Sequence, residues 1–407
     1  MLDQIKLGAI GGACALLLAA CGGSDHDPVA LPSPPVATTP ATTTLTLLSS
    51  SARAMDSVVF HGGAAYVSLA NSKTEGSAVL RAPLPLAANA TWSPVGLGAC
   101  AMGPQGDFIM RSPKLKMVGE NMWLMQPWAD TPEAAGEAST CTLMASSASF
   151  VPRDQDLKTC NPYFCETLSI YDMKLHGARL YSNAGGGGNL MTSKDGGNSW
   201  QVVRGEKASM MCYAGKFHLI GDRVLVGGEC PLDMAFVEAY RLTADGGALA
   251  SQDKLPLGLP ELENRNVQFI DSVPDTQVVF VGVEGGLLRS TDNGNSFKFV
   301  IHEPLEGGKG YPYIGAFLSP KGKPNTVVVG GFDKMHGRPY LAYSHDSGAS
   351  WTDISTLVPG YGKVAGDEFG AGSVAALAED PQGRIIVVVN ERADGQGRLM
   401  QLTLAGN

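Results

Sequence analysis

Val279-Phe-Val-Gly-Val-Glu-Gly-Gly-Leu-Leu-Arg-Ser290-Thr-Asp292-Asn-Gly294-Asn-Ser-Phe297 decides the fold of this 407-residue chain. Two runs of strand-forming residues flank a Glu-Gly-Gly turn, and a polar S-x-D-x-G-x-x-aromatic segment follows them. The segment recurs as Ser193-Lys-Asp195-Gly-Gly197-Asn-Ser-Trp200 and Ser344-His-Asp346-Ser-Gly348-Ala-Ser-Trp351. A weaker copy runs Thr243-Ala-Asp245-Gly-Gly247-Ala-Leu-Ala250. Taking Ala250 as the aromatic-equivalent position, the copies end at 200, 250, 297 and 351, so they lie 50, 47 and 54 residues apart.

A period near 50 residues built from alternating apolar runs is the length of one four-stranded propeller blade. Each copy reads as a hairpin tip. Asp accepts backbone N–H bonds across the turn, Ser or Thr adds a second local bond, and Gly takes the left-handed conformation. The Trp or Phe opens the next strand and packs beneath the turn. Upstream, Trp92 and Phe150 keep the period although their turns have lost the motif.

Counting outward predicts an all-β chain. Blades are expected around 57–95, 114–152, 170–203, 216–252, 267–300 and 314–354. A last blade in 374–404 is one strand short, and the alternating segment Thr43-Thr-Leu-Thr-Leu-Leu48 is the expected donor. Pairing it there closes the ring and hides an exposed edge. The expectation is a seven-bladed β-propeller over 43–407, closed by an N-terminal strand, with six or eight blades as alternatives because the second blade is irregular.

The motif resembles the Asp-box, or BNR repeat, of sialidases, sortilin-type receptors and photosystem II assembly factor-like propellers. The resemblance implies that each box lies between the third and fourth strands of its blade, away from the ligand-binding mouth. It therefore implies structural roles for Ser193, Asp195, Gly197, Trp200, Thr243, Asp245, Gly247, Ser290, Asp292, Gly294, Phe297, Ser344, Asp346, Gly348 and Trp351, and no catalytic acid among them. The glycine run at 185–188 reads as a hairpin loop, since no Lys-Ser/Thr follows as in a phosphate cradle.

Residues 1–20 carry Lys6, an apolar run from Leu7 to Ala20, and Leu18-Ala-Ala directly before Cys21. The run is too short to span a bilayer and fits a signal-peptide core. Leu-Ala-Ala-Cys resembles the bacterial lipobox, which implies lipidation at Cys21, palmitate included. Residues 21–42, rich in Pro, Thr and Ala, cannot bury a core and read as a disordered tether. The expected location is the cell envelope, lipid-anchored. Gly22 rather than Asp favours the outer membrane by the enterobacterial sorting rule, which does not hold in every lineage.

Six cysteines follow Cys21 in the mature domain, and an oxidising compartment makes disulfides their default. Of 15 connectivities, the nearest-neighbour set Cys100–Cys141, Cys160–Cys165 and Cys212–Cys230 is favoured. No C-x-x-C pair or Cys/His zinc spacing occurs, so neither metal nor cofactor is expected. The net charge of -9 argues against nucleic acid and against electrostatic docking on anionic lipid.

Function is expected at the channel mouth, in loops bearing Trp128, Tyr163, Tyr311, Tyr313, Arg338, Tyr361, Lys363, Asp367 and Glu368. The leading expectation is a non-catalytic binding or assembly scaffold for a protein or glycan partner. The alternative is a sialidase-like exo-glycosidase. That chemistry needs an arginine cluster, a Tyr nucleophile with a Glu partner, and an Asp acid/base. Ala52-Arg53-Ala-Met and Arg111-Ser-Pro113 do not match the family's Arg-Ile-Pro, and Tyr311, Tyr313, Glu303 and Glu306 are no more than sequence neighbours.

Overall fold

Among the described residues the alternating runs form seven antiparallel blades, six of them with four hydrogen-bonded strands, and one separate two-stranded hairpin. The computed structural model describes residues 42–406 except 71–74, 77, 102–112, 126–139, 144–148, 154–157, 161–164, 168–169, 185–188, 205–212, 231–233, 263–264, 303–311, 334–337, 362–371 and 392–394. The leader, Cys21 and the tether up to 41 lie outside the described residues. Among the described residues no helix is long and apolar enough to cross a membrane.

The fold is the expected seven-bladed all-β propeller. The innermost strands, in ring order, are Met55–His61, Lys114–Val118, Ile170–His176, Tyr213–Ile220, Val267–Ser272, Tyr313–Leu318 and Gly372–Glu379. Each is followed outward by its blade's later strands, so sequence order is also spatial order in every blade but the seventh, whose outermost strand comes from the N-terminal side. The second strands are the most apolar because neighbouring blades cover both faces. Val279–Val283 and most of Ile385–Glu391 are buried throughout. The core is thus a set of layers between blades rather than one centre, which lets a single domain exceed the usual core size.

Ring closure is as expected. Thr44–Ser51 is the outermost strand of the seventh blade and pairs antiparallel with the chain's last strand, from Thr44 opposite Thr403 to Ser51 opposite Gly397. Leu48 is buried between blades seven and one. Trp92 of blade one donates its indole N–H to Ser49 Oγ at 2.8 Å, and Thr43 Oγ1 accepts the Ala405 N–H at 3.0 Å.

Blade four differs from expectation. It has three strands, Tyr213–Ile220, Arg223–Cys230 and Met234–Arg241, and its outer edge is met only by isolated bridges at Leu249 and Leu255. Ala250, the aromatic-equivalent position, is exposed while Leu249 is buried. Pro256 and Pro260 cannot donate to a ladder. The segment instead crosses to blade five, where the Gly258 N–H donates to Asn295 O at 2.9 Å and the Phe297 N–H donates to Gly258 O at 2.7 Å. The irregular second blade does keep four strands, and a small hairpin, Lys158–Cys160 with Cys165–Thr167, precedes blade three.

Candidate functional site

In blades three, five and six the box turn joins the third strand to the fourth, at the end of the blade where the innermost strand finishes. In blade five, Ser290 Oγ donates to Asp292 Oδ1 at 2.6 Å, and the Gly294 N–H donates to Ser290 Oγ at 2.8 Å. Asp292 Oδ1 also accepts the N–H groups of Asn295 and Ser296 at 3.0 and 2.9 Å, and Oδ2 accepts the Ser296 hydroxyl at 2.6 Å. Asp195 and Asp346 repeat the pattern with Ser199 and Ser350. The Ser199 hydroxyl and N–H hold Asp195 below the usual carboxylate range, and Ser350 does the same for Asp346. At Asp292 partial burial works upward, but the donors from Ser290 and Ser296 win and hold it at about 2. The blade-four turn is looser, with Asp245 Oδ1 accepting from Thr243 Oγ1 at 2.7 Å and from the Gly247 N–H at 3.1 Å.

Each of these carboxylates is engaged by its own turn, with three or more donors on Asp195, Asp292 and Asp346 and two on Asp245. Arginines of the preceding blade also seal the turns. Arg153 reaches Asn198, Arg179 reaches Asp245, Arg223 reaches Asn295 Oδ1 at 2.7 Å, and Arg289 reaches Ser347 O at 2.7 Å. Asp292→Asn should weaken the turn by about 1–2 kcal/mol at pH 7. Because the folded pKa is depressed, the wild-type advantage is present above the unfolded carboxylate pKa and disappears as pH falls through about 2. Urea midpoints of the two proteins should therefore converge between pH 4 and 2, and a gap constant with pH would refute the charged-acceptor role.

The opposite face, where the innermost strands begin, opens onto the central channel. In six of the seven blades that strand carries a register shift near its start, as at Met55/Ser57, Val267/Phe269, Ile314/Ala316 and Val374/Ala376. A bulge leaves one residue unpaired and re-aims its side chain. Asp56, Gln268, Gly315 and Ala375 occupy these bulges and line a cavity of about 260 Å3 in the channel.

One wall of this cavity is charged and the other apolar. Blades two to four contribute Lys114, Lys116, Asp172, Lys174 and Lys216, while blades five to seven contribute Phe269, Ala316, Phe317, Ala376 and Leu377, with Gln268 and Asp271 as the polar members of that side. The charged wall contains a fixed cluster. Lys174 Nζ donates to Ile270 O at 2.9 Å and to His218 Nδ1 at 3.2 Å, and lies 3.3 Å from Asp271 Oδ2. Lys116 bonds Asp172 directly. Burial alone would raise the Asp172 pKa, but Lys116 and Lys174 hold it at about 2. Burial and the adjacent Lys174 ammonium push His218 down to about 3, so it stays neutral and its 3.5 Å approach to Asp271 is not an ion pair. Asp271 is 43% exposed, but to the channel rather than to open solvent; Lys174 outweighs burial and lowers its pKa.

Two groups have no such partner. Lys216 makes no ion pair among the described residues, and burial with Lys114 nearby lowers its pKa to about 8. Asp56 Oδ2 is buried without a hydrogen bond, and burial raises that carboxyl's pKa against the pull of Lys114 and Lys216. None of these channel residues was among the expected site residues. The available signal was the alternation Lys114-Leu-Lys116, Asp172-Met-Lys174 and Lys216-Phe-His218. In each, the apolar middle residue packs between blades. The flanking residues Lys114, Lys116, Asp172, Lys174 and Lys216 line the cavity, while His218 stays neutral beside Lys174.

The expected mouth loops lie largely outside the described residues, including Trp128, Tyr163, Glu303, Glu306, Tyr311, Lys363, Asp367 and Glu368. Tyr313 stacks on Phe332 with centroids 4.6 Å apart. Arg338 donates to Asp333 Oδ2 at 2.8 Å and to the Tyr361 hydroxyl at 2.9 Å. Arg53 is spent on the carbonyls of Ala70 and Gly76, Arg265 on Glu284 O, and Arg398 on Glu391. No arginine lines the cavity among the described residues, and Arg111 lies outside them. Cys100 is disulfide-bonded to Cys141 across 41 residues. Cys160 and Cys165 are directly opposite in their hairpin, and Cys212 lies outside the described residues. No group of three His, Cys, Asp or Glu placed to hold a metal occurs among the described residues.

No family model and no curated protein matches the chain. Among solved structures it is similar to YCF48 bound to D1 peptide, at 15% identity and a TM-score of 0.51, covering 91% of this chain and 99% of that one. It is also similar to a GH74 xyloglucanase from Xanthomonas campestris, at 15% identity and a TM-score of 0.51. That match covers 85% of this chain but only 52% of the xyloglucanase, so the chain spans about half its length. At these identities the likeness shows the fold alone.

Proposed function

We propose that this chain is a non-catalytic envelope lipoprotein whose propeller serves as a binding or assembly scaffold for a protein partner, which docks on the face opposite the boxes. The two-sided channel carries the reading. It offers an unspent ammonium and an apolar wall on the free face, whereas the box carboxylates are committed to their turns. A neighbour of the same fold, YCF48, was solved with a peptide bound, which supports a polypeptide as partner. A sialidase-type site would need several arginines converging on the mouth, and Arg53, Arg265, Arg338 and Arg398 are instead engaged within their own blades. That favours binding over glycoside hydrolysis.

The anchor and the docking are tested separately. Cys21→Ser should abolish metabolic palmitate labelling and release the protein from the membrane fraction; unchanged labelling would end the lipoprotein reading. A photo-crosslinking amino acid at Tyr361, on the channel-mouth face, should trap one discrete protein in living cells. The same group at exposed Val202, on the rim of blade three, should trap none. Equal adducts at both places, or none at the mouth, would overturn the docking face.

A further inference from the structure

We infer that the channel cavity is a site for a small organic carboxylate with an apolar, preferably aromatic, body, its charged end on Lys216 and Lys114 and its body against Phe269 and Phe317. The inference deepens the reading of this face as a binding surface, but it depends on neither the lipid anchor nor a docked protein.

The ion-pair inventory sets the sign of the ligand. Four lysines and three aspartates line the cavity. Asp172 is taken by Lys116, and Asp271 by Lys174, whose ammonium also bonds Ile270 O and His218. Lys216 and Lys114 are left facing Asp56, the one unspent acid. It is one acid against two lysines, and its Oδ2 accepts no hydrogen bond. Lys114 is exposed, whereas the unpaired Lys216 ammonium is partly buried, which is costly, and a buried acceptor without a donor costs about 1–3 kcal/mol. A bound carboxylate would pair with the two lysines directly.

The opposite wall sets the body of the ligand. Phe269 and Phe317 pack with centroids 5.3 Å apart, and both remain half-buried because their channel-facing sides are uncovered. Gly315 and Ala375, at two of the three bulges on that side, leave their part of the wall without long side chains, while Gln268 occupies the third. About 260 Å3 accommodates a ring and a short chain but not a folded polypeptide. Inorganic phosphate would satisfy the lysines but leave the aromatic wall uncovered, which is why the structure favours an organic acid.

The probes are 3-phenylpropionate, its neutral amide 3-phenylpropionamide, and inorganic phosphate, titrated calorimetrically into the full chain in detergent. The acid should bind at least tenfold more tightly than the amide, and phosphate more weakly than the acid. Lys216→Met should lower affinity for the acid at least tenfold, while Lys321→Met, at the box-side mouth, should leave it unchanged. Lys216→Met should fold at least as well as wild type, and Lys114→Met provides a second variant should it not.

A carboxylate on Lys216 raises that lysine's pKa, so binding near pH 8 should take up a proton, visible as a dependence on buffer ionisation enthalpy. The groups facing Lys216 are Asp56 from blade one, Lys114 and Lys116 from blade two, and Asp172 from blade three. Asp172 is held ionised by its lysines and should not titrate in this range. Proton uptake should therefore vanish in Lys216→Met. Equal binding of acid and amide, tighter binding of phosphate, no binding of any probe, or an unaffected Lys216→Met would each overturn the inference. None of these results would bear on labelling at Cys21 or on the crosslink at Tyr361.

Discussion

Deleting residues 43–51 is expected to abolish cooperative folding of the propeller, whereas deleting 22–42 leaves its melting unchanged. The strand Thr44–Ser51 forms the whole outer edge of blade seven, pairing from Thr44 to Ser51 with the last strand. Its loss exposes a ladder of unpaired N–H and C=O groups on Gln396–Thr403. It also uncovers the packing that Leu48 shares with Val58, Val388 and Leu399, and that Leu45 shares with Met400 and Leu402. Burial of those two leucines alone is worth about 3–5 kcal/mol, a large part of the margin of any domain. The remaining chain would be a ring with no closure, held by Met55 and Asn390 across the seam between blades one and seven. Aggregation on heating, measured by light scattering beside circular dichroism, should separate the two deletions. Equal melting of both would mean that the ring is held by the seam contacts and not by the strand.

That strand was legible in the sequence, and so was nearly every blade, for one physical reason. Hairpin tips need residues with special backbone behaviour, and such residues stand out without any alignment. Asp292 and Gly294 mark their turn by what they must do locally, accepting bonds from Ser290 and Ser296 and adopting φ of +75°. Ring closure could be read because blade seven was visibly one strand short. The outer edge of blade four was not legible, since its outcome depends on Gly258 finding the neighbouring blade's box, a partner 37 residues ahead.

The channel was hidden for a related reason. Lys114, Lys174 and Lys216 look like ordinary solvated lysines along the chain. Only their common radius within the ring brings them to one cavity, and only the bulges aim Asp56 and Gln268 into it. A period-two charge pattern in the first strand of successive blades is the signal to look for. It must be read across blades rather than along one. The mouth loops, by contrast, were chosen for aromatic and charged content, and the described part of that set, Tyr313, Arg338 and Tyr361, is bound up in contacts within blade six and its following turn.

Gly197→Ala should be strongly destabilising, and Gly196→Ala next to it should be mild. Both glycines are left-handed, with φ of +89° and +73°, so both substitutions carry the backbone cost of about 1 kcal/mol that a Cβ meets there. Their surroundings differ. A Cβ at Gly196 would meet nothing within 4 Å, whereas one at Gly197 would sit 2.5 Å from Cη2 of Trp123. Trp123 is fully buried in blade two and packs with Trp200, so it cannot retreat. The added overlap should cost about 1–3 kcal/mol beyond the backbone term. The same geometry recurs where Gly294 faces Leu225 and Gly348 faces Phe280, each in the preceding blade. The third invariant of the box is therefore glycine for two reasons, the turn and the blade interface. Urea denaturation of the two variants separates them. If Gly196→Ala and Gly197→Ala lose the same stability, the box glycine answers only to its turn. A larger loss at Gly197, reduced when Trp123 is shortened to Leu in the same chain, would show that each box also sets the spacing to the blade before it.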